Sequence, residues 1–149
     1  MMGTRTGDLD PSVMDYLCAC EKKDVDTMYD IFNKKSGLLG VSGVSSDTRD
    51  VEEAAAKGNK RALLATKLFA RRVADYIGQY FVRLGGADLI IFSAGIGENS
   101  DYYREFILRD VEEALGLVID YDKNKGLRGK EEVLSKPESK IKVVVLPTD

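Results

Sequence analysis

The chain has no histidine among its 149 residues. Neither a His-based triad nor a histidine general base is therefore available, and zinc sites of the usual His/Cys type are excluded. Cysteine is almost as scarce: Cys18 and Cys20 are the only two, one residue apart. On a helix they point to different faces, which disfavours a mutual disulfide or a shared metal and leaves two structural thiols in a reducing compartment. A basic excess is also lacking, since 22 Lys and Arg stand against 25 Asp and Glu, a net charge of −3. That balance offers no basic face to a nucleic acid. No apolar run approaches the roughly 20 residues of a membrane helix. Met1-Met2-Gly3-Thr4-Arg5 leads into no apolar segment of the kind a signal peptide carries. These absences predict a cytoplasmic location with neither nucleic acid nor membrane as partner. No pair of acids at defined spacing points to a glycosidase or a two-metal centre, so no metal-ligating residue is assigned.

What is present describes a globular domain: 44% hydrophobic, 32% charged, three prolines. Asp10-Pro11 reads as an N-cap followed by proline in the first turn of a helix bearing Val13, Met14, Leu17 and Cys18 on one face. A second helix is predicted over 25–33, with Met28, Ile31 and Phe32 inward. The run from Gly40 to Asp47 is rich in small residues and reads as a loop. A short helix opens at Asp47-Thr48-Arg49-Asp50 and closes at Lys57-Gly58. The longest helix, over 60–84, ends at Gly85-Gly86, with Leu68, Phe69, Val73, Ile77, Phe81 and Leu84 as its core stripe.

Leu89-Ile90-Ile91-Phe92-Ser93 reads as a strand apolar on both faces, running into Gly95-Ile96-Gly97-Glu98-Asn99, with a helix from about Ser100. Tyr103, Phe106, Ile107, Val111 and Leu115 define that helix, and Gly116 breaks it. Leu117-Val118-Ile119 is a candidate short strand, the charged stretch 120–140 an exposed excursion, and Ile141–Leu146 a second convincing strand. So few, widely spaced strands make a poor sheet alone, which points to part of a larger α/β domain.

Three polar segments are equipped for chemistry. In Gly3-Thr4-Arg5-Thr6-Gly7-Asp8 an arginine lies among hydroxyls and glycines, where a guanidinium reaches an oxyanion bidentately; pairing with Asp8 or Asp10 is the alternative. Asp47-Thr48-Arg49 places an acid and a base around a hydroxyl at a helix start, where Asp47 also suits a plain N-cap. A strand that stops at Gly95 and Gly97 exposes backbone N–H groups suited to a nucleotide, although the same glycines suit a tight turn that holds nothing.

Four segments in series, 2–11, 40–50, 92–100 and 145–149, give the chain a resemblance that spans essentially its whole length. Met2-Gly3-Thr4-Arg5-Thr6-Gly7-Asp8-Leu9-Asp10-Pro11, the Gly40–Asp50 stretch, Phe92-Ser93-Ala94-Gly95-Ile96-Gly97-Glu98-Asn99-Ser100 and Val145-Leu146-Pro147-Thr148-Asp149 resemble the landmarks of the acetate kinase family, in its order. The match is to the C-terminal part of such an enzyme. The resemblance implies an α/β fold of the actin and hexokinase (ASKHA) type, helix-rich with few remaining strands, in which residues 1–149 are an incomplete nucleotide-binding domain. It implies the reaction of ATP with acetate to give ADP and acetyl phosphate, reversibly, with Mg2+. It implies that Arg5 contacts the transferring phosphoryl group. Asp47, Thr48 and Arg49 then hold the nucleotide near adenosine, and Gly95, Ile96, Gly97, Glu98 and Asn99 pack against adenine and ribose.

The family's catalytic aspartate, active-site histidine and glycine-containing phosphate loop lie upstream of the segment matching Met1. Its magnesium-binding glutamate follows the segment matching Pro147-Thr148-Asp149. The expectation is therefore a truncated, excised or internally initiated piece, inactive alone, from an enzyme that forms homodimers through this domain. Propionate and butyrate kinases share much of the pattern and stand as alternatives, as does a non-catalytic nucleotide-binding or interaction module.

Overall fold

The structure, a computed structural model, describes residues 1–148. It divides into two units, Met1–Phe69 and Ala70–Asp149, and the division falls within one long helix.

In the first unit, α1 (Ser12–Glu21) has Pro11 rather than Asp10 at its N-cap position, and Asp10 Oδ1, one residue earlier, accepts both Ser12 N (2.9 Å) and Ser12 Oγ (2.6 Å). Asp24 caps α2 (Val25–Lys34) through the Thr27 amide, and Met28 is its buried residue. The small-residue stretch is not all loop: α3 (Gly37–Ser42) occupies its first part, with Gly43 left-handed at its end. Gly37 is required there, because at φ +63° a Cβ on this residue would lie 2.2 Å from Met2 O. Then come α4 (Thr48–Ala56) and the start of α5 (Lys60–Leu84). Leu38, Val51, Ala62 and Ala65 form this unit's core, with Phe69 packed against it.

The second unit continues α5 and adds β1 (Leu89–Phe92), α6 (Ala94–Asn99), α7 (Asp101–Leu115), α8 (Tyr121–Asn124), β2 (Glu132–Val133) and β3 (Lys142–Val145). The sheet order is β1-β3-β2. β3 runs parallel to β1 with Leu89 opposite Lys142, and antiparallel to β2 with Glu132 opposite Val145. The core gathers Phe92, Ile107, Leu108, Val111, Leu134, Val143 and Val145.

Several expectations are corrected. Of the expected α5 stripe, Phe69 packs against the first unit's core beside Ala62 and Ala65, and Val73, Ile77 and Phe81 pack against the second unit's core beside Ala70 and Ala74, whereas Leu68 is 41% and Leu84 74% exposed. β1 is not buried on both faces, because Leu89 is 45% and Ile91 49% exposed. It is an edge strand, and an apolar groove of about 230 Å³ lined by Val73, Ile77, Phe81, Leu84 and Leu89 runs alongside. Residues 120–140 are no simple excursion: Asn124 and Leu134 are fully buried, and β2 pairs with β3. Ile119 contributes only an isolated bridge to Ser135. Among the described residues, no helix is long and apolar enough to cross a membrane.

Candidate functional site

In the first unit the segment around Arg5 is held on its backbone from two sides. Thr6 N donates to Phe32 O (3.0 Å), while Met2 O, Gly3 O and Thr4 O accept from Leu38, Leu39 and Ser36 amides at 2.8, 3.0 and 2.9 Å. These carbonyls satisfy the donors at the start of α3, which would otherwise be left unpaired. The Arg5 side chain is exposed, and Asp10, one of its alternative partners, is engaged by Ser12. Gly3 lies against Ser46, where a Cβ would meet Ser46 O at 3.0 Å. The Arg5 loop and the approach to Asp47 are thus neighbours.

Asp47 does act as an N-cap of α4: its Oδ1 accepts the Arg49 amide at 2.9 Å. It also binds the Arg49 side chain, with Nη2 2.6 Å from Oδ2 and Nε 3.1 Å from Oδ1. The Arg49 side chain first, and its amide second, hold the Asp47 carboxyl well below the usual range, at about 2. Asp47 is therefore ionised throughout the physiological range, and it raises the pKa of Arg49 in return. Thr48 is half-buried between the two. The result is a solvent-facing carboxylate and guanidinium held in one orientation, able to accept from hydroxyls and to donate to anions.

A residue that patterning did not single out shapes the loop before Asp47. Arg61 Nε donates to Val41 O and Nη2 to Gly40 O, both at 2.9 Å, closing the end of α3. Asp47 N in turn donates to Ser45 Oγ at 3.0 Å.

In the second unit, Gly95–Asn99 is not a turn before a helix but a short helix itself. Ser93 is fully extended, and Ala94 at φ +56° makes the sharp change of direction into α6. A non-glycine residue in that region is strained by about 1–2 kcal/mol. Ser100 ends α6 and caps α7 through the Tyr103 amide at 3.2 Å. The two glycines differ in purpose. Gly97 lies against β1, where a Cβ would be 3.3 Å from Phe92 C, whereas nothing lies within 4 Å of one at Gly95. Gly95 and Asn99 are exposed, while Ile96 and Glu98 are half-buried. Asn99 Nδ2 donates back to Gly95 O at 3.0 Å. Glu98 faces the protein: its Oε2 accepts Thr148 N at 2.9 Å, and its carbonyl accepts Gly129 N at 3.1 Å. The structure thus gives this carboxylate a scaffolding contact.

Beneath α6 lies Arg104, 1% exposed, with 2.8 Å bonds to Gly97 O, Leu127 O and Asn124 Oδ1. Burial pushes this guanidinium's pKa down, Asp101 opposing the shift and Arg128 adding to it. An arginine between apolar Tyr103 and Phe106 reads as surface in a helical pattern, so no periodic signal marks it as interior.

Among the described residues, no three His, Cys, Asp or Glu side chains gather into a group that could hold a metal ion. A magnesium ion carried by a nucleotide takes one or two carboxylates besides the phosphates and waters, so this absence neither assigns a residue to it nor excludes one. Asp149, the last residue of the fourth landmark, lies outside the described residues.

Comparison with known proteins agrees with these landmarks. The sequence pattern of the acetokinase family matches residues 1–149. The acetate kinase of Thermoanaerobacter pseudethanolicus is 52% identical over 149 residues, a match covering 99% of this chain and 37% of that protein. The crystal structure of Porphyromonas gingivalis acetate kinase superposes with a TM-score of 0.93 at 48% identity, covering 100% of this chain and 37% of that one. A propionate kinase from Francisella tularensis subsp. tularensis follows with a TM-score of 0.89 at 34% identity, over 99% of this chain and 37% of that one. This chain thus spans 37% of the length of the curated acetate kinase it matches at 52% identity. With its helix-rich α/β architecture shared by these kinases and the family pattern running from first residue to last, the chain belongs to the acetokinase family.

Proposed function

We propose that the chain carries the adenosine side of an acetate kinase, as an incomplete nucleotide-binding domain over residues 1–149. The complete enzyme transfers the γ-phosphoryl group of ATP to acetate, giving acetyl phosphate and ADP, and runs reversibly. In this reading Arg5 contacts the transferring phosphoryl group. Asp47, Thr48 and Arg49 hold the nucleotide near adenosine, and Gly95–Asn99 lie against adenine and ribose. The observation that carries the reading is the family match over residues 1–149 at about half identity, which includes every one of these positions.

The physical chemistry is compatible with those roles. Phosphoryl transfer depends on positioning and charge compensation more than on covalent catalysis, and an exposed arginine on a braced loop supplies positive charge at the equatorial oxygens. Gly95, with open space where a side chain would be, admits a flat base or a sugar to the backbone. Mg2+ accompanies the nucleotide in the complete enzyme, held by groups outside the described residues. The remaining expectations belong to the same proposal: a cytoplasmic enzyme, homodimeric when complete, that engages neither nucleic acid nor membrane. The exposed Leu89 and Ile91 on the edge strand support a need for more chain before the active site is complete.

A propionate kinase is the second reading, favoured by the structural likeness to the Francisella protein. The test is complementation. The 149-residue chain alone is expected to release no ADP from ATP and acetate, and co-expression with the remaining segment of an acetate kinase is expected to restore activity. Propionate and butyrate assayed in parallel settle acyl preference. In the restored enzyme Arg5→Ala should lower the rate about a hundredfold, with less effect on ATP affinity. Turnover by the isolated chain, or unchanged turnover in the Arg5 variant, contradicts the proposal.

A further inference from the structure

Arg104 is a buried cation without a buried anion. Its side chain is 1% exposed, its hydrogen bonds go to Asn124 Oδ1, Gly97 O and Leu127 O, and the neighbouring Asp101 carboxylate acts on it through charge without a hydrogen bond. All three of its acceptors are neutral, and each comes from a different segment: Gly97 O from α6, Asn124 Oδ1 from α8 and Leu127 O from the loop that follows. Burying a guanidinium for stability alone is a poor solution, since a well-packed apolar side chain of similar size serves as well or better. A planar fork with diverging N–H groups offers what an apolar side chain cannot, a fixed direction to three acceptors at once.

The fork is itself oriented. Asn124 Nδ2 donates to Asp101 O at 2.9 Å, so its amide oxygen is turned towards Arg104. Asp101 Oδ2 accepts Gly126 N at 2.7 Å, fixing the loop in which Leu127 lies. A second strut joins the same two segments without Arg104, from Gly129 N to Glu98 O at 3.1 Å. Meanwhile α6 is only six residues long and enters through a strained Ala94, so its own hydrogen bonds cannot define its place.

We infer that Arg104 is the positioning residue of α6: it holds the Gly95–Asn99 backbone in place by clamping Gly97 to the 124–129 loop, without touching the nucleotide. The consequence for binding rests on the function proposed above. The consequence for local order does not. A lysine cannot substitute, because one ammonium on a flexible stem cannot reach three diverging acceptors.

Hydrogen exchange at single amides of the full 149-residue chain tests this, with an ADP titration alongside. Two amides report on α6, Ser100 N bonded to Ile96 O and Gly129 N bonded to Glu98 O. Ile107, Leu108 and Val111 in α7 report on the core. In Arg104→Lys, exchange at Ser100 and Gly129 should rise about tenfold or more and ADP affinity should fall about tenfold, while the α7 amides stay within about threefold. Asn124→Ala, which removes one acceptor and leaves the arginine, should do the same to a smaller degree. It decides by the same criteria should Arg104→Lys not fold. Parallel acceleration at all five amides would overturn the inference by making Arg104 an ordinary core residue, and unchanged Ser100 and Gly129 would overturn it by showing that α6 holds itself. If the local pattern appears but the unmodified chain binds no ADP, the positioning role stands and the nucleotide reading falls.

Discussion

The Glu98 carboxylate accepts the Thr148 amide at 2.9 Å across 50 residues of chain, tying α6 to the segment that follows β3. Two of the four landmark segments, 92–100 and 145–149, are thereby physically joined in the second unit. In Glu98→Ala the Thr148 amide should exchange about tenfold faster or more, with α7 unaffected. Glu98→Gln keeps an oxygen acceptor and should retain part of the protection. Amide exchange followed by NMR gives both values.

Three positions at α6 should respond with different signs. Ala94→Gly relieves a left-handed alanine and should stabilise the chain by about 1 kcal/mol. Gly95→Ala places a methyl in open space within a helix, so stability should rise by about 0.5–1 kcal/mol while ADP affinity falls. Gly97→Ala forces a methyl to 3.3 Å from Phe92 C and should destabilise by about 1 kcal/mol or more. Thermal melts with and without ADP separate packing from binding.

The pH dependence of Asp47 has a definite direction. Its carboxyl titrates at about 2 in the folded chain, below its ordinary 3.8. The contribution of its contacts with Arg49 to stability is therefore complete above the ordinary value and is lost as pH falls through about 2. An NMR titration of the carboxyl should show this midpoint. Arg49→Ala should move it up towards 3.8 without reaching it, because the amide of residue 49 still donates to Oδ1.

Much of this architecture is legible in the sequence where local and tertiary preferences agree. The bounds of α5 at Lys60–Leu84 follow from Asn59, the helical run and Gly85-Gly86. The capping aspartates Asp24 and Asp47 are where their residue types place them, and Asp10 bonds Ser12 one residue ahead of the cap position. α6 is not legible as a helix, because two glycines in six residues argue against one. Its helical form comes from outside the segment: contact of Gly97 with Phe92 and the clamp from Arg104. The stretch 120–140 misleads for the opposite reason. Its charges are real, yet Asn124 and Leu134 are buried, and a pairing to β3 as short as β2 leaves no periodic trace. Arg61 and Arg104 carry no sequence signal, because an arginine donating to backbone carbonyls has no partner that spacing reveals. The resemblance to acetate kinases locates candidate residues, and the structure adds how Glu98, Arg61 and Arg104 hold their segments.

The most direct test of the central claim is a thermal melt of the 149-residue chain with and without ADP. At about a hundred times its dissociation constant, a ligand stabilises the folded state by about 2.7 kcal/mol. That should raise a cooperative midpoint by roughly 5–10 °C. Asp47→Ala should abolish most of the shift. Such a shift is the predicted result, and it would establish that the adenosine side of the site is folded and competent in this chain. A sharp transition indifferent to ADP would contradict the account.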